Sequence, residues 1–199
     1  MKQILITIAA VVALGNGEFN VFGVTGKDSS SATKSTKGEW KYLDNGLIRI
    51  GVNKSRGACI GFFGDSKTKR NVLNHYDHGR FIQQSYYGDL DGSNWNGKQW
   101  RYNPIQGGSW QGKDARVLEL RINKDKDSLY AKIEPRHWAN GNPCPEAIME
   151  QWITLEGSVA NVRSKMTYKG KDHHLARHQE MPAVFVDAAL KNLIYAHQG

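Results

Sequence analysis

Cysteine is scarce in this chain: Cys59 and Cys144 are the two among 199 residues. No C-x-x-C pair occurs, which argues against a zinc ribbon. The two thiols stand far apart in sequence, and spacing alone leaves a single disulfide and two buried thiols equally open. Also missing are a G-x-x-x-x-G-K-[ST] loop, a G-x-G-x-x-G turn and a G-x-S-x-G elbow. Their absence disfavours nucleotide-driven chemistry and the hydrolases built on a nucleophile elbow. No segment keeps a 3.6-residue apolar period, so a helical bundle is not expected, and nothing repeats at a fixed interval. Acidic residues are in deficit, 19 against 27 Lys and Arg, for a net charge of +8 and a pI near 9.5. The cations are spread along the chain without a basic stripe or an RNP-like pattern, so nucleic acid is not an expected partner. The same charge favours an anionic polysaccharide through screened attraction.

Long apolar runs are lacking outside the start of the chain, where Ile4 to Leu14 follows Lys2. That run is too short to anchor a membrane protein and has the n-region and h-region of a secretory signal peptide. Stable membrane insertion is therefore not expected, and export to the periplasm or the extracellular space is. The competing reading is a buried N-terminal strand or helix. Residues 1–17 read as the leader. Residues 18–38 read as a flexible linker, because Lys27 to Lys37 is rich in Ser, Thr and Lys with no apolar period. Residues 39–199 read as one folded domain. Nothing after Leu193-Ile194-Tyr195 closes its architecture, so it is expected to be the N-terminal part of a longer domain.

What is present is β grammar. Trp40–Leu43 and Leu47–Val52 flank Asp44-Asn45-Gly46, a strong short hairpin signal. Further strands are expected over Ala58–Phe63, Phe81–Tyr87, Arg116–Asn123, Ser128–Glu134, Ala147–Leu155, Val159–Tyr168 and Gln179–Val186. Pro182 demotes the last of these to an edge or a bulge. Gly88–Asn103 reads as a long loop. Many short strands joined by hairpins imply an all-β, antiparallel sandwich.

Two polar clusters carry the candidate chemistry. Asp77 to Gly108 holds Arg80, Gln83, Gln84, Tyr86, Trp95, Trp100, Asn103 and Gln106 in one window. Aromatic faces mixed with amides and guanidinium forks suit a sugar, whose C–H face stacks on rings while its hydroxyls take hydrogen bonds. The plainer alternative is that the rings are core and the glycines are turns. The second cluster, Asp172 to Glu180, carries His173, His174, Arg177, His178 and Glu180. Glu180 at a strand start, beside Arg177 and His178, is the candidate general acid or base, the alternative being an ordinary ion pair with Arg177. The histidines do not read as a helix with H-E-x-x-H spacing, and Asp89 to Trp100 departs from the EF-hand template. No metal and no cofactor is implied.

Several pieces together resemble a family of exported bacterial proteins with no settled activity. They are Asn45-Gly46-Leu47-Ile48-Arg49-Ile50-Gly51-Val52, Arg56-Gly57-Ala58, Gly79-Arg80-Phe81-Ile82-Gln83-Gln84-Ser85-Tyr86-Tyr87, Asn103-Pro104-Ile105-Gln106-Gly107-Gly108 and Arg177-His178-Gln179-Glu180-Met181-Pro182-Ala183. The opening also resembles, less specifically, the galactose mutarotase-like supersandwich, a fold found in epimerases, glycosidase accessory domains and polysaccharide lyases. That likeness is at the level of fold, and folds host many functions. The expectation is an exported carbohydrate-active protein of glycosidase or lyase type. Glu180, His178 and Arg177 would be catalytic, and Arg80, Gln83, Gln84, Tyr86, Trp95, Trp100, Asn103 and Gln106 would bind the glycan. The alternative is a non-catalytic carbohydrate-binding sandwich with Trp95, Trp100 and Tyr102 as its stacking platform.

Overall fold

The Asn-Gly signal folds as its chemistry demands. Gly46 takes φ +82, and the Asn45 carboxamide oxygen accepts the Leu47 and Ile48 amides at 3.1 and 3.0 Å. The turn joins the first two strands of a sheet in a computed structural model that describes residues 2–11, 39–74 and 81–190. In chain order the strands are β1 (Lys2–Val11), β2 (Trp40–Asp44), β3 (Ile48–Asn53), β4 (Cys59–Asp65), β5 (Ile82–Ser85), β6 (Leu90–Trp95) and β7 (Lys98–Arg101). They continue as β8 (Pro104–Ile105), β9 (Arg116–Ile122), β10 (Ser128–Glu134), β11 (Arg136–His137), β12 (Ala147–Glu156), β13 (Val159–Tyr168) and β14 (Glu180–Val184). Among the described residues the helical element is a 3-10 turn, Lys54–Arg56, and no helix is long and apolar enough to cross a membrane.

The protein is an antiparallel β-sandwich. One sheet runs β1-β13-β12-β10-β9; the other runs β11-β8-β5-β4-β3-β2, with β14 added on β5. Alternation along β10, β12 and β13 turns Leu129, Ala131, Ile133, Met149, Ile153 and Val162 inward. They meet Leu43, Ile48, Ile50, Val52, Ile60 and Met181 of the facing sheet in one core. Each fully buried aliphatic side chain contributes about 1.5–3 kcal/mol relative to exposure. Cys59 and Cys144 are both buried and free.

One sequence expectation changes shape here. Gly88–Asn103 is not a loop: β6 and β7 form a two-stranded ribbon of their own. Its strands are mostly exposed and lack an apolar face, so period-2 patterning has nothing to mark. The apolar stretch that reads as a leader supplies Lys2–Val11 as β1, paired antiparallel with β13 from Lys2↔Tyr168 to Val11↔Val159. Residues 18–38, read as a linker, lie outside the described residues. Pro182, by contrast, sits where the edge-or-bulge reading requires, at the register shift between Glu180 and Ala183.

Candidate functional site

The site is assembled where the β6–β7 ribbon leaves the sandwich. Its two legs are residues 86–89 and 102–104, tied by Tyr86 N to Pro104 O, Gly88 N to Tyr102 O and Tyr102 N to Asp89 O at 2.7–3.0 Å. The 174–180 segment lies along the first leg. Asp89 N donates to His174 Nδ1 at 3.1 Å, and Leu175 N and the Arg177 guanidinium both donate to the Asp89 carboxylate. Gln179 clamps Tyr87 from both sides, its Oε1 accepting Tyr87 N at 2.6 Å and its Nε2 donating to Tyr87 O at 3.0 Å. Glu180 then pairs with Ser85 in the sheet register. The two polar clusters of the sequence therefore meet along one edge of the molecule.

Rings fill the junction. Tyr102 stacks on His174 with centroids 5.2 Å apart and planes 5° from parallel, and Tyr86 stacks on Tyr168 at 6.4 Å. His137 stands edge-on to Tyr102 at 6.0 Å. Gly88 makes the close approach possible, since a Cβ there would lie 2.8 Å from His174 Nδ1 and 3.0 Å from Tyr102 Cδ1. The backbone fixes both imidazoles. A backbone N–H only donates, so the Asp89 amide makes His174 Nδ1 the acceptor and leaves the proton of the neutral ring on Nε2. That Nε2 faces the Tyr168 hydroxyl at 3.3 Å. His137 repeats the logic: Nδ1 accepts from Ala139 N at 3.1 Å, and Nε2–H faces Asp91 Oδ2 at 2.8 Å.

The hydroxyls of this cluster stay protonated at neutral pH. Burial raises Tyr86, Tyr87, Tyr102 and Tyr168 above the ordinary phenol value. The Tyr102 hydroxyl is pushed furthest by burial and the nearby Cys144, reinforced by its bond to the Glu146 carboxylate. Burial also pushes the Cys144 thiol up to about 12, so it is no nucleophile. Asp91 goes the other way: burial works against its charge, but the bonds from Ser93 and His137 hold it below the usual carboxylate value. Because His174 Nε2–H donates to Tyr168 Oη, the Tyr168 proton is left to point elsewhere. The pair is thus a hydrogen-bond donor whose conjugate phenolate has a ready partner.

The sequence-predicted residues divide into two groups. Tyr86 and Arg177 belong to the junction. Trp95 and Trp100 stand on the ribbon, half-buried, with centroids 5.1 Å apart, and Trp100 Nε1 donates to Asn103 Oδ1 at 3.3 Å. Glu180 stands beside Tyr87, whose hydroxyl it holds up in pKa together with burial. Arg177 pairs with Asp89, so the expected Arg177–Glu180 ion pair is not what forms. His178 is exposed, and Arg80 lies outside the described residues.

The four carboxamides go elsewhere. Gln83, Gln84, Asn103 and Gln106 are 0–1 % exposed and serve the interior. Gln83 Oε1 accepts from Gly107 N, Gln84 Nε2 donates to Glu150 O across the sandwich, Asn103 Nδ2 donates to Ser85 Oγ and Tyr86 O, and Gln106 Nε2 donates to Gly57 O and Gln151 Oε1. Gln84 Oε1 is buried without a hydrogen-bond partner, but all four amides lie out of reach of a surface sugar, so their glycan-binding reading is corrected to a scaffold role. Sequence reasoning missed Tyr168 and His137 as site residues. Tyr168 closes the alternating pattern of β13, which reads as core, and His137 lies in a stretch without periodicity. A cleft of about 510 Å³ between Lys41 and Leu120 is lined by none of these groups. No family model, curated protein or solved structure matches the chain.

Proposed function

We propose that this is an exported carbohydrate-active protein, periplasmic or extracellular, acting on an acidic polysaccharide by β-elimination. The observation that carries the reading is the Tyr168–His174 pair, in which the imidazole N–H faces the phenol oxygen at 3.3 Å. Elimination at a uronate needs a base for the proton on the carbon next to the carboxylate, an acid for the departing glycosidic oxygen, and a cation for the carboxylate. The raised tyrosines disfavour phenolate as the base. The reading assigns the acid to Tyr168, the base to Glu180, and the carboxylate partner to Arg101, which acts on Tyr87 alongside Glu180, while Arg177 stays paired with Asp89. The base takes the proton, the new C=C forms as the C–O bond to the leaving sugar breaks, and Tyr168 protonates that oxygen. The resulting phenolate is held by His174 Nε2–H. A glycosidase would instead need two carboxyl groups facing each other about 5–9.5 Å apart across the bond.

The test is incubation with polygalacturonate. An enzyme of this kind releases unsaturated, ultraviolet-absorbing ends, and Tyr168→Phe and Glu180→Gln each lower kcat by about 10²–10⁴-fold while sparing binding. Reducing ends without that absorbance would make the protein a hydrolase. Binding without either product would favour the second reading, a non-catalytic module whose platform is the Trp95–Trp100 pair at 5.1 Å.

A further inference from the structure

The outer face of the β1-β13-β12-β10-β9 sheet carries a second, independent pattern. In cross-strand register, Arg121 of β9 opposes Tyr130 of β10, Tyr130 opposes Trp152 of β12, and Trp152 opposes Arg163 of β13. The four side chains form one straight rung across the strands, Arg–Tyr–Trp–Arg. Three inter-strand steps of about 4.8 Å make it roughly 14 Å long. The rung is organised in itself: Arg121 lies 4.7 Å from the Tyr130 ring centre, Arg163 lies 4.2 Å from that of Trp152, and the two ring centres are 5.3 Å apart with planes at 43°.

The flanking rungs differ in kind. On one side stand uncharged hydrogen-bonding groups, Ser128, Thr154 and Asn161, which follow one another in the same register. On the other side charges alternate and cancel, with Glu150 accepting from the Tyr130 hydroxyl at 2.6 Å and lying 3.6 Å from Lys165. The excess on the face is therefore positive and sits in the aromatic rung. Arg121 shares its charge with Glu119 at 2.8 Å, whereas Arg163 is exposed and, among the described residues, pairs with no carboxylate. A solvated sheet face needs neither rings nor guanidinium planes laid on them; stacked arginines lose less freedom on binding an anion because their forks are already oriented.

We infer that this rung is a second binding site, for an extended acidic oligosaccharide lying across the strands. Sugar faces stack on Tyr130 and Trp152, carboxylates meet Arg121 and Arg163, and ring hydroxyls meet the uncharged rung. The site is separate from the Tyr168–His174 junction and holds substrate rather than transforming it. Calorimetric titration of the full chain with polygalacturonate tests it, on a His174→Ala background that holds the first site constant. The Arg121→Glu, Arg163→Glu double variant and, separately, Trp152→Ala each raise Kd by about ten-fold or more, the equivalent of ~1.4 kcal/mol. Neutral xylan binds more weakly than polygalacturonate and is indifferent to the charge reversal. Should polygalacturonate fail to bind, or bind both variants as it binds the parent, the inference falls. It falls equally if a single-stranded oligonucleotide binds the rung more tightly than the polyuronate. The two arginines are exposed, so the double variant remains informative even if Trp152→Ala unfolds. Product formation, measured with His174 intact, reads the first site and is unaffected by the reversal at saturating substrate, so either reading fails without the other.

Discussion

Gln106 shows why residue type alone misleads about role. Its Nε2 donates to Gly57 O at 3.0 Å and to Gln151 Oε1 at 3.2 Å, and its Oε1 accepts the Gln84 backbone N–H at 3.1 Å. Gln151 in turn donates to Ala58 O, so the amides stitch one sheet to the other through an otherwise apolar core. Removing Gln106 takes a partner from two carbonyl oxygens, Gly57 O and Gln151 Oε1, and from the Gln84 amide hydrogen, and each buried group left without one costs about 1–3 kcal/mol. Gln106→Leu is therefore expected to lower unfolding free energy by ~3 kcal/mol and the midpoint of thermal unfolding by roughly 6–12 °C, given about 2–4 °C per kcal/mol for a chain of this size. Chemical and thermal denaturation check this. A variant with unchanged stability and weakened glycan binding would restore the groove reading and remove the scaffold role.

At the scale of elements, the β6–β7 ribbon has little core to hold it. Leu90 is 58 % exposed, and the described contacts that fasten the ribbon's base to the body include the His137–Asp91 bond at 2.8 Å. Asp91 is held below its ordinary carboxylate value, so its contribution is fully present above pH ~4 and is lost as pH falls through the lower, folded value. The Asp91 side chain is partly exposed, which limits the clamp to about 1 kcal/mol. Asp91→Asn at neutral pH is expected to speed hydrogen exchange of the ribbon amides about five-fold while the global midpoint moves little. Acidification of the parent below pH ~4 should produce the same local loosening before global unfolding. Exchange that stays slow in the variant would mean that the ribbon is held by something other than this bond. The same ribbon marks the limit of what the sequence makes legible. β9, β10, β12 and β13 announce themselves because one face of each is apolar, and Asp44-Asn45-Gly46 announces a turn through its own side chains. β6, with Leu90-Asp91-Gly92-Ser93-Asn94-Trp95, has no buried face and hence no period. The sequence marks 86–89 and 174–180 as parts of two polar clusters, but not the ring stack between them, because Tyr102, His137, Tyr168 and His174 come from four separated segments.

Across the whole molecule, the formal charge of +8 acts through position rather than sum. Many cations are neutralised close at hand: Lys41 and Lys54 share Glu39, Arg49 meets Asp44, Arg116 meets Glu134 and Arg177 meets Asp89. Such exposed pairs contribute little to stability, so salt should leave the unfolding midpoint nearly fixed. An acidic polymer meets the remaining field, and its attraction is screened over about 10 Å at 0.1 M salt and about 3 Å at 1 M. Binding of polygalacturonate is therefore expected to weaken by about ten-fold between low and high salt, a loss of ~1.4 kcal/mol, while any binding of neutral xylan stays flat. The comparison separates charge from stacking, since ring contacts with Tyr130, Trp152, Trp95 or Trp100 carry no such dependence. Affinity for polygalacturonate that is indifferent to salt would rule out an anionic substrate for both sites and leave stacking as the one force that recruits a glycan.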